Sequence, residues 1–245
     1  MALEIGEVLD LVDETPTVKI IRVVVPNKKF YDYKPGQFFN FYLAENPQST
    51  NPNDYRLARP YSVVSSPTNK NFLEVAFRIA GNFTGRLAKL NPGDKVGVNG
   101  PFGAFIFNEN TDKDVVMLAG GIGITPFVST LRYATDKQLG NKFTLFYSNR
   151  FANEVTMHSE LLKLQNENKN INCVFTITRE ITAGFEHGRI DETFLKKYAG
   201  NLSEKVFYIC GAHDFILAMA ELLLKLGVDK SKIKKEDFGF VKKTN

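Results

Sequence analysis

Two cysteines, Cys173 and Cys210, are all that this chain of 245 residues contains. That is too few for a disulfide framework, a cysteine-ligated iron-sulfur cluster or a zinc ribbon. The three histidines, His158, His187 and His213, have no zinc-ligand spacing, and no metal is expected. No apolar run approaches the roughly eighteen residues that signal a membrane span. The opening Met1-Ala2-Leu3-Glu4-Ile5 lacks a basic region followed by an apolar stretch, so a secretory signal is not expected and the cytoplasm is the expected location. Internal repeats and low-complexity segments are absent. No stretch joins dense basic residues to a nucleic-acid-binding signature, which sets nucleic acid aside as a partner.

An apolar fraction of 43% and a charged fraction of 24% suit a soluble globular protein able to bury a core, in one large domain or two modest ones. Lys and Arg exceed Asp and Glu by 31 to 27. The surplus of four is matched by the segment from Lys225 to Asn245 alone, where seven Lys face Asp229, Glu236 and Asp237. Such a patch steers acidic partners. A solvated Lys-rich surface accounts for it equally well.

The two halves of the chain follow different patterns. Up to about Phe107, short β-rich segments (17–25, 37–43, 61–65, 72–79 and 95–98) are separated by Pro26-Asn27, Pro35-Gly36, the polar run Glu45 to Asp54, Ser66-Pro67 and Asn91-Pro92-Gly93-Asp94. This predicts an antiparallel barrel or sandwich, interrupted by one short helix from Thr84 to Leu90. After the polar bridge Asn108 to Asp114, apolar strands (115–119, 143–147, 172–176 and 206–210) alternate with amphipathic helices (126–137, 156–164, 191–198 and 214–226). Alternation of this kind predicts a mostly parallel sheet covered on both faces, with its ligand beyond the carboxyl ends of the strands. The expected domains are 1–109 and 110–245.

The first strand of the second half runs directly into Gly120-Gly121-Ile122-Gly123-Ile124-Thr125-Pro126. Glycines there let the backbone approach a bulky anion, Thr125 can cap the helix, and Pro126 suits its first turn. The helix start then offers free amides and a favourable dipole to a pyrophosphate. Alone, the motif is also compatible with a plain strand-to-helix turn. It is not the Rossmann fingerprint, because Pro126 stands at the next required glycine. The strand at 143–147 ends in Ser148-Asn149-Arg150, where an acid would hold the ribose hydroxyls of NAD and an arginine welcomes a 2'-phosphate. Arg179 follows the third strand and Arg189 lies ten residues on. Converging guanidiniums bind a phosphate dianion by charge-assisted, bidentate contacts. Any one of them taken singly reads as an ordinary surface arginine.

In the first half, Arg59-Pro60-Tyr61-Ser62 can supply what a flavin requires: a planar surface, a donor near its reactive N5 and a cation for its phosphate. On a strand Arg59 and Tyr61 share one face and Ser62 points to the other, so Ser62 meets the ring edge only where the backbone bends. As an isolated tetrapeptide it reads as a half-buried strand.

Together with Ser65-Ser66-Pro67, this tetrapeptide resembles the flavin-binding signature of the ferredoxin-NADP reductase superfamily. Gly81-Asn82-Phe83-Thr84 resembles that family's second flavin-phosphate element, Ala76-Phe77-Arg78 the strand bordering the ring, and Gly100-Pro101-Phe102-Gly103 the turn that closes the flavin domain. Gly121 to Pro126, with Gly123 and Thr125 between, resembles the pyridine-nucleotide turn. Cys210-Gly211 resembles the pair whose thiol lies beside the nicotinamide, and Glu236-Asp237-Phe238 the ending that closes over the flavin. The match runs in order from about residue 5 to residue 240. Ile122 departs from it, standing where many members have Thr, and Val241-Lys242-Lys243-Thr244-Asn245 replaces the terminal aromatic of plant-type members.

The resemblance implies a two-domain fold: an N-terminal antiparallel Greek-key β-barrel that binds FAD, followed by an α/β domain with a parallel sheet that binds NAD(P). It implies Ser62, Cys210 and Glu236 as the catalytic set. The expected activity is hydride transfer between NADP(H) and bound FAD, across about 3 to 3.5 Å, with single electrons passing to or from an acidic ferredoxin or flavodoxin. A monomer is expected. NADP(H) is favoured by the arginines, whereas the chain ending resembles NADH-using oxygenase reductases. An NADH-dependent oxygenase reductase component, a free-flavin reductase and a non-catalytic flavin- or dinucleotide-binding subunit stay open as alternatives.

Overall fold

The structure, a computed structural model, describes residues 2–237. Six strands build its first part: β1 (Glu4–Thr15), β2 (Val18–Val24), β3 (Phe38–Leu43), β4 (Leu57–Ser62), β5 (Leu73–Arg78) and β6 (Lys95–Phe102), with the short helix α1 (Asn82–Leu87) between the last two. All pair antiparallel, in the order β4-β3-β6-β1-β2-β5. The alternation of apolar residues sets the faces: Phe39, Phe41 and Leu43 of β3 point inward, as do Ile21 and Val23 of β2. Phe30, Tyr31 and Phe77 complete a core of fully buried rings, each worth about 1.5–3 kcal/mol of apolar burial.

The ends of this sheet meet. Just past β4, Val63 bridges Val75 of β5 and the Val64 amide donates to the Glu74 carbonyl at 2.7 Å. The contact closes a barrel, and around the closure the neighbours β6-β3-β4-β5 form the 4-1-2-3 order of a Greek key.

The second part is a six-stranded parallel sheet. Its strands are β7 (Asp114–Gly120), β8 (Lys142–Asn149), β9 (Ile171–Ile177), the two-residue β10 (Glu186–His187), β11 (Val206–Gly211) and β12 (Ile233–Asp237), in the order β10-β9-β8-β7-β11-β12. Its helices are α2 (Thr125–Asp136), α3 (His158–Glu167), α4 (Glu192–Ala199) and α5 (His213–Lys225). From β7 the chain builds outward through β8, β9 and β10, then returns to place β11 on the other side of β7. The order therefore reverses between β7 and β11, which is where an open α/β sheet leaves its ligand crevice.

Packing groups the residues into two units: those up to Phe107 with Val128–Asp136, and Asn108–Phe127 with the chain from Lys137 onward. Within the first unit, Ser129 donates to the Ser65 carbonyl at 2.8 Å and Arg132 Nη1 to the Val64 carbonyl at 3.0 Å. Arg132 and Arg22 both bind the buried Glu74 carboxylate at 2.6 Å. The segment following Ser62 is thus held by a satisfied ionic network, of the kind that costs about 3–5 kcal/mol when one partner is removed.

Several boundaries differ from the sequence expectations. β4 starts at Leu57 rather than Tyr61, with Pro60 inside it opposite Asn40. Proline is tolerated because β4 pairs through most of its length on one side only. The α1 helix begins at Asn82, not Thr84, and α3 at His158, not Thr156. β1 and β12 were not expected at all.

Candidate functional site

On β4 the side chains of Leu57, Arg59 and Tyr61 share a face by alternation. Tyr61 is half-buried in a clamp of rings: stacked on Phe83 of α1 at 6.3 Å, and edge-on to Phe41 at 5.8 Å and Phe77 at 6.0 Å. Burial pushes its phenol well above the usual value, so it is neutral. The Arg59 guanidinium lies 5.7 Å from the centre of the same Phe83 ring, exposed, with one nitrogen on the Ala58 carbonyl at 2.7 Å. Arg59 and Tyr61 thus meet at Phe83, and Pro60 holds the strand between them.

Ser62 points the other way and is buried, and its Oγ has no hydrogen-bond partner. On β5, Ala76 and Phe77 are buried and Arg78 is half-buried. At the start of α1, Thr84 Oγ1 accepts from the amides of Ala80 at 2.9 Å and Gly81 at 3.1 Å. The hydroxyl is engaged in its own turn, so the first-turn amides of Asn82, Phe83 and Thr84 are the groups this element can offer an anion.

In the second unit, β7 ends at Gly120 beside the end of β11 at Cys210-Gly211. Gly121–Ile124 form a 3-10 turn that runs into α2 without a break. Thr125 is therefore already helical, and its hydroxyl donates back to the Ile122 carbonyl at 3.2 Å. This corrects the expectation that Thr125 caps the helix: the helical amide series starts at Gly121, and Pro126 sits in the following turn. A Cβ on Gly123 would lie 2.3 Å from the Cys210 carbonyl oxygen and 2.6 Å from the Gly211 Cα. Only glycine lets the turn rest on the end of β11. Phe215 of α5 covers both Gly120 and Gly211, where a Cβ would approach its ring to 2.9 Å. Nothing in the sequence singled out Phe215, an apolar residue within an amphipathic helix.

Cys210 is fully buried, paired with Ala119 on one side and Glu236 on the other. Burial, reinforced by the Glu236 and Asp237 carboxylates, pushes its thiol well up, so it is protonated. Glu236 has one carboxylate oxygen buried without a partner, and burial raises its pKa to about 7. Phe238 lies outside the described residues.

Between pH 4.5, the ordinary value, and about 7, folded Glu236 keeps a proton that the unfolded chain releases. Stability is lost as pH rises through that window, by up to about 3 kcal/mol, and the loss is complete above it. Glu236→Gln removes this pH dependence. The parent's urea midpoint should fall between pH 5 and pH 8 more steeply than the variant's, and parallel profiles would show that Glu236 ionises normally.

The three arginines come from neighbouring strands. Arg150 follows β8, Arg179 lies two residues past β9, and Arg189 two past β10, so adjacent parallel strands deliver all three to one edge. The Arg179 amide donates to the Arg150 carbonyl at 3.0 Å, Glu180 Oε1 accepts from the Ala152 amide at 2.7 Å, and Thr176 Oγ1 donates to the Gly188 carbonyl at 2.6 Å. His158 stacks on Phe185 at 5.0 Å beneath the same loop. All three arginines are exposed, and none is paired with a carboxylate among the described residues. Ser148 is half-buried at the end of β8, and Asn149 beside it is buried with both side-chain amide atoms unpartnered.

Among the described residues, buried side-chain polar atoms without a partner occur on Asp10, Ser62, Asn149 and Glu236. Each such atom costs about 1–3 kcal/mol unless a ligand or water meets it. Three of these four residues belong to the set expected from sequence. The hydroxyl at the end of β4 and the tight glycine cradle at the strand reversal are the features that a flavin edge and a dinucleotide would use.

Comparisons with known proteins agree with this geometry. A family model described as an oxidoreductase FAD-binding domain matches residues 7–107, and one described as an oxidoreductase NAD-binding domain matches residues 117–221. The chain is 31% identical over 206 residues to a subunit of the Na(+)-translocating NADH-quinone reductase of Marinomonas sp., covering 76% of this chain and 50% of that protein. It spans about half the length of the curated relatives it matches. Its fold matches the flavohem-like FAD/NAD binding domain of nitric oxide dioxygenase from Vibrio cholerae, with a TM-score of 0.82 at 24% identity, covering 96% of this chain and 98% of that one. A ferredoxin NADP+ reductase from Neisseria gonorrhoeae, solved with bound FAD and NADP, gives 0.82 at 23% identity, covering 98% and 100%. With a FAD-binding barrel followed by an NAD-binding parallel sheet, the chain belongs to the ferredoxin-NADP reductase superfamily of oxidoreductases.

Proposed function

We propose that this chain is an NADP(H)-linked reductase that exchanges electrons with a small acidic carrier, a ferredoxin or flavodoxin. The observation that carries the choice of nucleotide is the set of three exposed, uncompensated arginines at the ends of β8, β9 and β10. A 2'-phosphate is the part of NADP(H) that such a set recognises and that NAD(H) lacks. The basic balance of the chain, +4, supports an acidic carrier. The reading takes 1–109 as the FAD-binding domain and 110–245 as the nucleotide-binding domain, in a cytoplasmic monomer.

Bound flavin supplies the conversion between a two-electron hydride event and single-electron transfers. The chain's residues bind and orient. In this reading Tyr61 packs on the ring system, Arg59 and the α1 amides hold the phosphates, and the Ser62 hydroxyl donates at the ring edge. The turn from Gly121 to Pro126 binds the dinucleotide pyrophosphate, the neutral Cys210 thiol orients the nicotinamide, and Glu236 holds a proton below about pH 7.

The test is direct. Protein freed of loose ligand by desalting is titrated anaerobically with NADPH and, separately, NADH while its visible flavin band is followed. Bleaching at far lower NADPH supports the reading. Equal or better bleaching by NADH overturns the choice of nucleotide and favours an NADH-linked reductase component, for which the resemblance to the NADH-quinone reductase of Marinomonas sp. already speaks. A colourless protein points to reduction of free flavin.

A further inference from the structure

We propose that Ser129 and Arg132 of α2 are positioning residues for Ser62, holding the backbone just beyond it in the bend that aims its hydroxyl, an inference that rests on the flavin reading of Ser62.

The bend lies where the chain changes partners. Ser62 pairs with Phe38 of β3, and the next residue, Val63, bridges Val75 of β5. Val64 and Ser65 follow, buried and in no strand, so their carbonyls need partners from elsewhere. Side chains supply them. Arg132 Nη1 donates to the Val64 carbonyl at 3.0 Å, and Ser129 Oγ and Tyr33 Oη donate to the Ser65 carbonyl at 2.8 Å each. Thr68 Oγ1, three residues on, donates to the Asp136 carboxylate. Ser129, Arg132 and Asp136 are spaced by three and four residues and share one face of α2, so the segment from Val64 to Thr68 lies along that face.

Arg132 is itself aimed. The same Nη1 donates to Glu74 Oε1 at 2.6 Å, and Glu74, 2% exposed, also binds Arg22 at 2.6 Å, which in turn binds Asp10 at 2.9 Å. Glu74 meets the bend through its backbone as well: its carbonyl accepts from the Val64 amide at 2.7 Å and its amide donates to Ser65 Oγ at 3.1 Å. Val64 is thus fixed at both its amide and its carbonyl, two residues from Ser62. A buried ion pair adds little net stability over an apolar pair of the same volume, whereas its directed hydrogen bonds fix one geometry. The Ser62 hydroxyl needs that geometry. Buried with no partner of its own, Oγ takes its place from the backbone. Arg132 touches neither flavin nor nucleotide in this assignment and acts through Val64.

A double-mutant cycle on the flavin-loaded full-length protein tests this role. The rate of flavin bleaching is followed by rapid anaerobic mixing with a saturating concentration of whichever nucleotide bleaches the parent. Arg132→Met, which keeps the volume and loses the donor, should slow bleaching about tenfold or more, with nucleotide affinity unchanged within about twofold. Arg132→Lys should recover most of that rate. Ser62→Ala should be slow as well, and adding Arg132→Met to it should slow it no more than about a further twofold, because no hydroxyl is left to misplace. The visible flavin band should shift in Arg132→Met as it does in Ser62→Ala. Losses that multiply in the double variant, or a parent-like rate in Arg132→Met, would overturn the positioning role alone. An unchanged rate in Ser62→Ala would overturn the flavin reading of Ser62 and this role with it. Should Arg132→Met shed its flavin, Ser129→Ala, which leaves Tyr33 on the Ser65 carbonyl, takes its place in the cycle with an expected loss of about threefold.

Discussion

Replacing Arg150 and Arg179 together by alanine lowers the efficiency of reaction with NADPH by about a hundredfold and leaves the reaction with NADH within about twofold. The size follows from two charge-assisted contacts. Each contributes about 1.5–3 kcal/mol where it is well aligned, and salt reduces that at an exposed site such as this one. A combined loss near 3 kcal/mol is about two decades in affinity. The asymmetry between nucleotides matters more than the size, because only the phosphate can register the missing guanidiniums. It also predicts a salt effect: the parent's preference for NADPH should shrink as ionic strength rises, and the double variant should have little left to lose. Steady-state kinetics with both nucleotides at low and high salt decide the matter. Equal losses for NADPH and NADH would mean that the arginines support the loop and do not read the phosphate.

Gly123→Ala should remove nucleotide-driven flavin reduction while flavin binding survives. The added carbon would sit 2.3 Å from the Cys210 carbonyl oxygen and 2.5 Å from its carbonyl carbon. Both belong to the backbone of a strand paired on each side, to Ala119 and to Glu236, so the strand cannot yield cheaply. The turn yields instead, and with it the amide series that begins at Gly121. Overpacking of this kind costs about 1–3 kcal/mol in stability, within what a folded domain survives. The variant should keep its visible spectrum after desalting, show a lowered urea midpoint, and fail to bleach with either nucleotide. Normal bleaching would show that the turn relaxes without moving its amides.

The alternation of strands and helices after residue 114 was legible because the central strands of that sheet are mostly apolar, and Val115-Val116-Met117-Leu118-Ala119 has no polar side chain to disguise it. β12 was not legible, because Ile233-Lys234-Lys235-Glu236-Asp237 reads as charged surface and becomes a strand only by pairing with β11. β1 hid for a related reason, with acidic residues along its length and register shifts near Val8 and Asp13 that break the alternation. Pro60 concealed the first half of β4. At the candidate site, local chemistry carried the reading: Arg59, Tyr61 and Ser62 follow from what one strand can present. The clamp around Tyr61 needed Phe41, Phe77 and Phe83 from three separate elements. Likewise, the burial that raises Glu236 comes from strand order, which no local pattern states.

The margins of the two sheets bear on how the protein behaves at high concentration. An unpaired strand edge is a template for another chain, and a long apolar one invites stacking and aggregation. Closure through Val63 and Val75 leaves the barrel with little such edge. In the parallel sheet, one margin is the two residues of β10, too short to template anything, and the other is β12, with two lysines and two acids in its five residues. Growth of fibres by edge-to-edge addition is thereby disfavoured at both ends of the described sheet. Crowded or concentrated samples are protected by the same charged residues that hid β12 from the sequence reading.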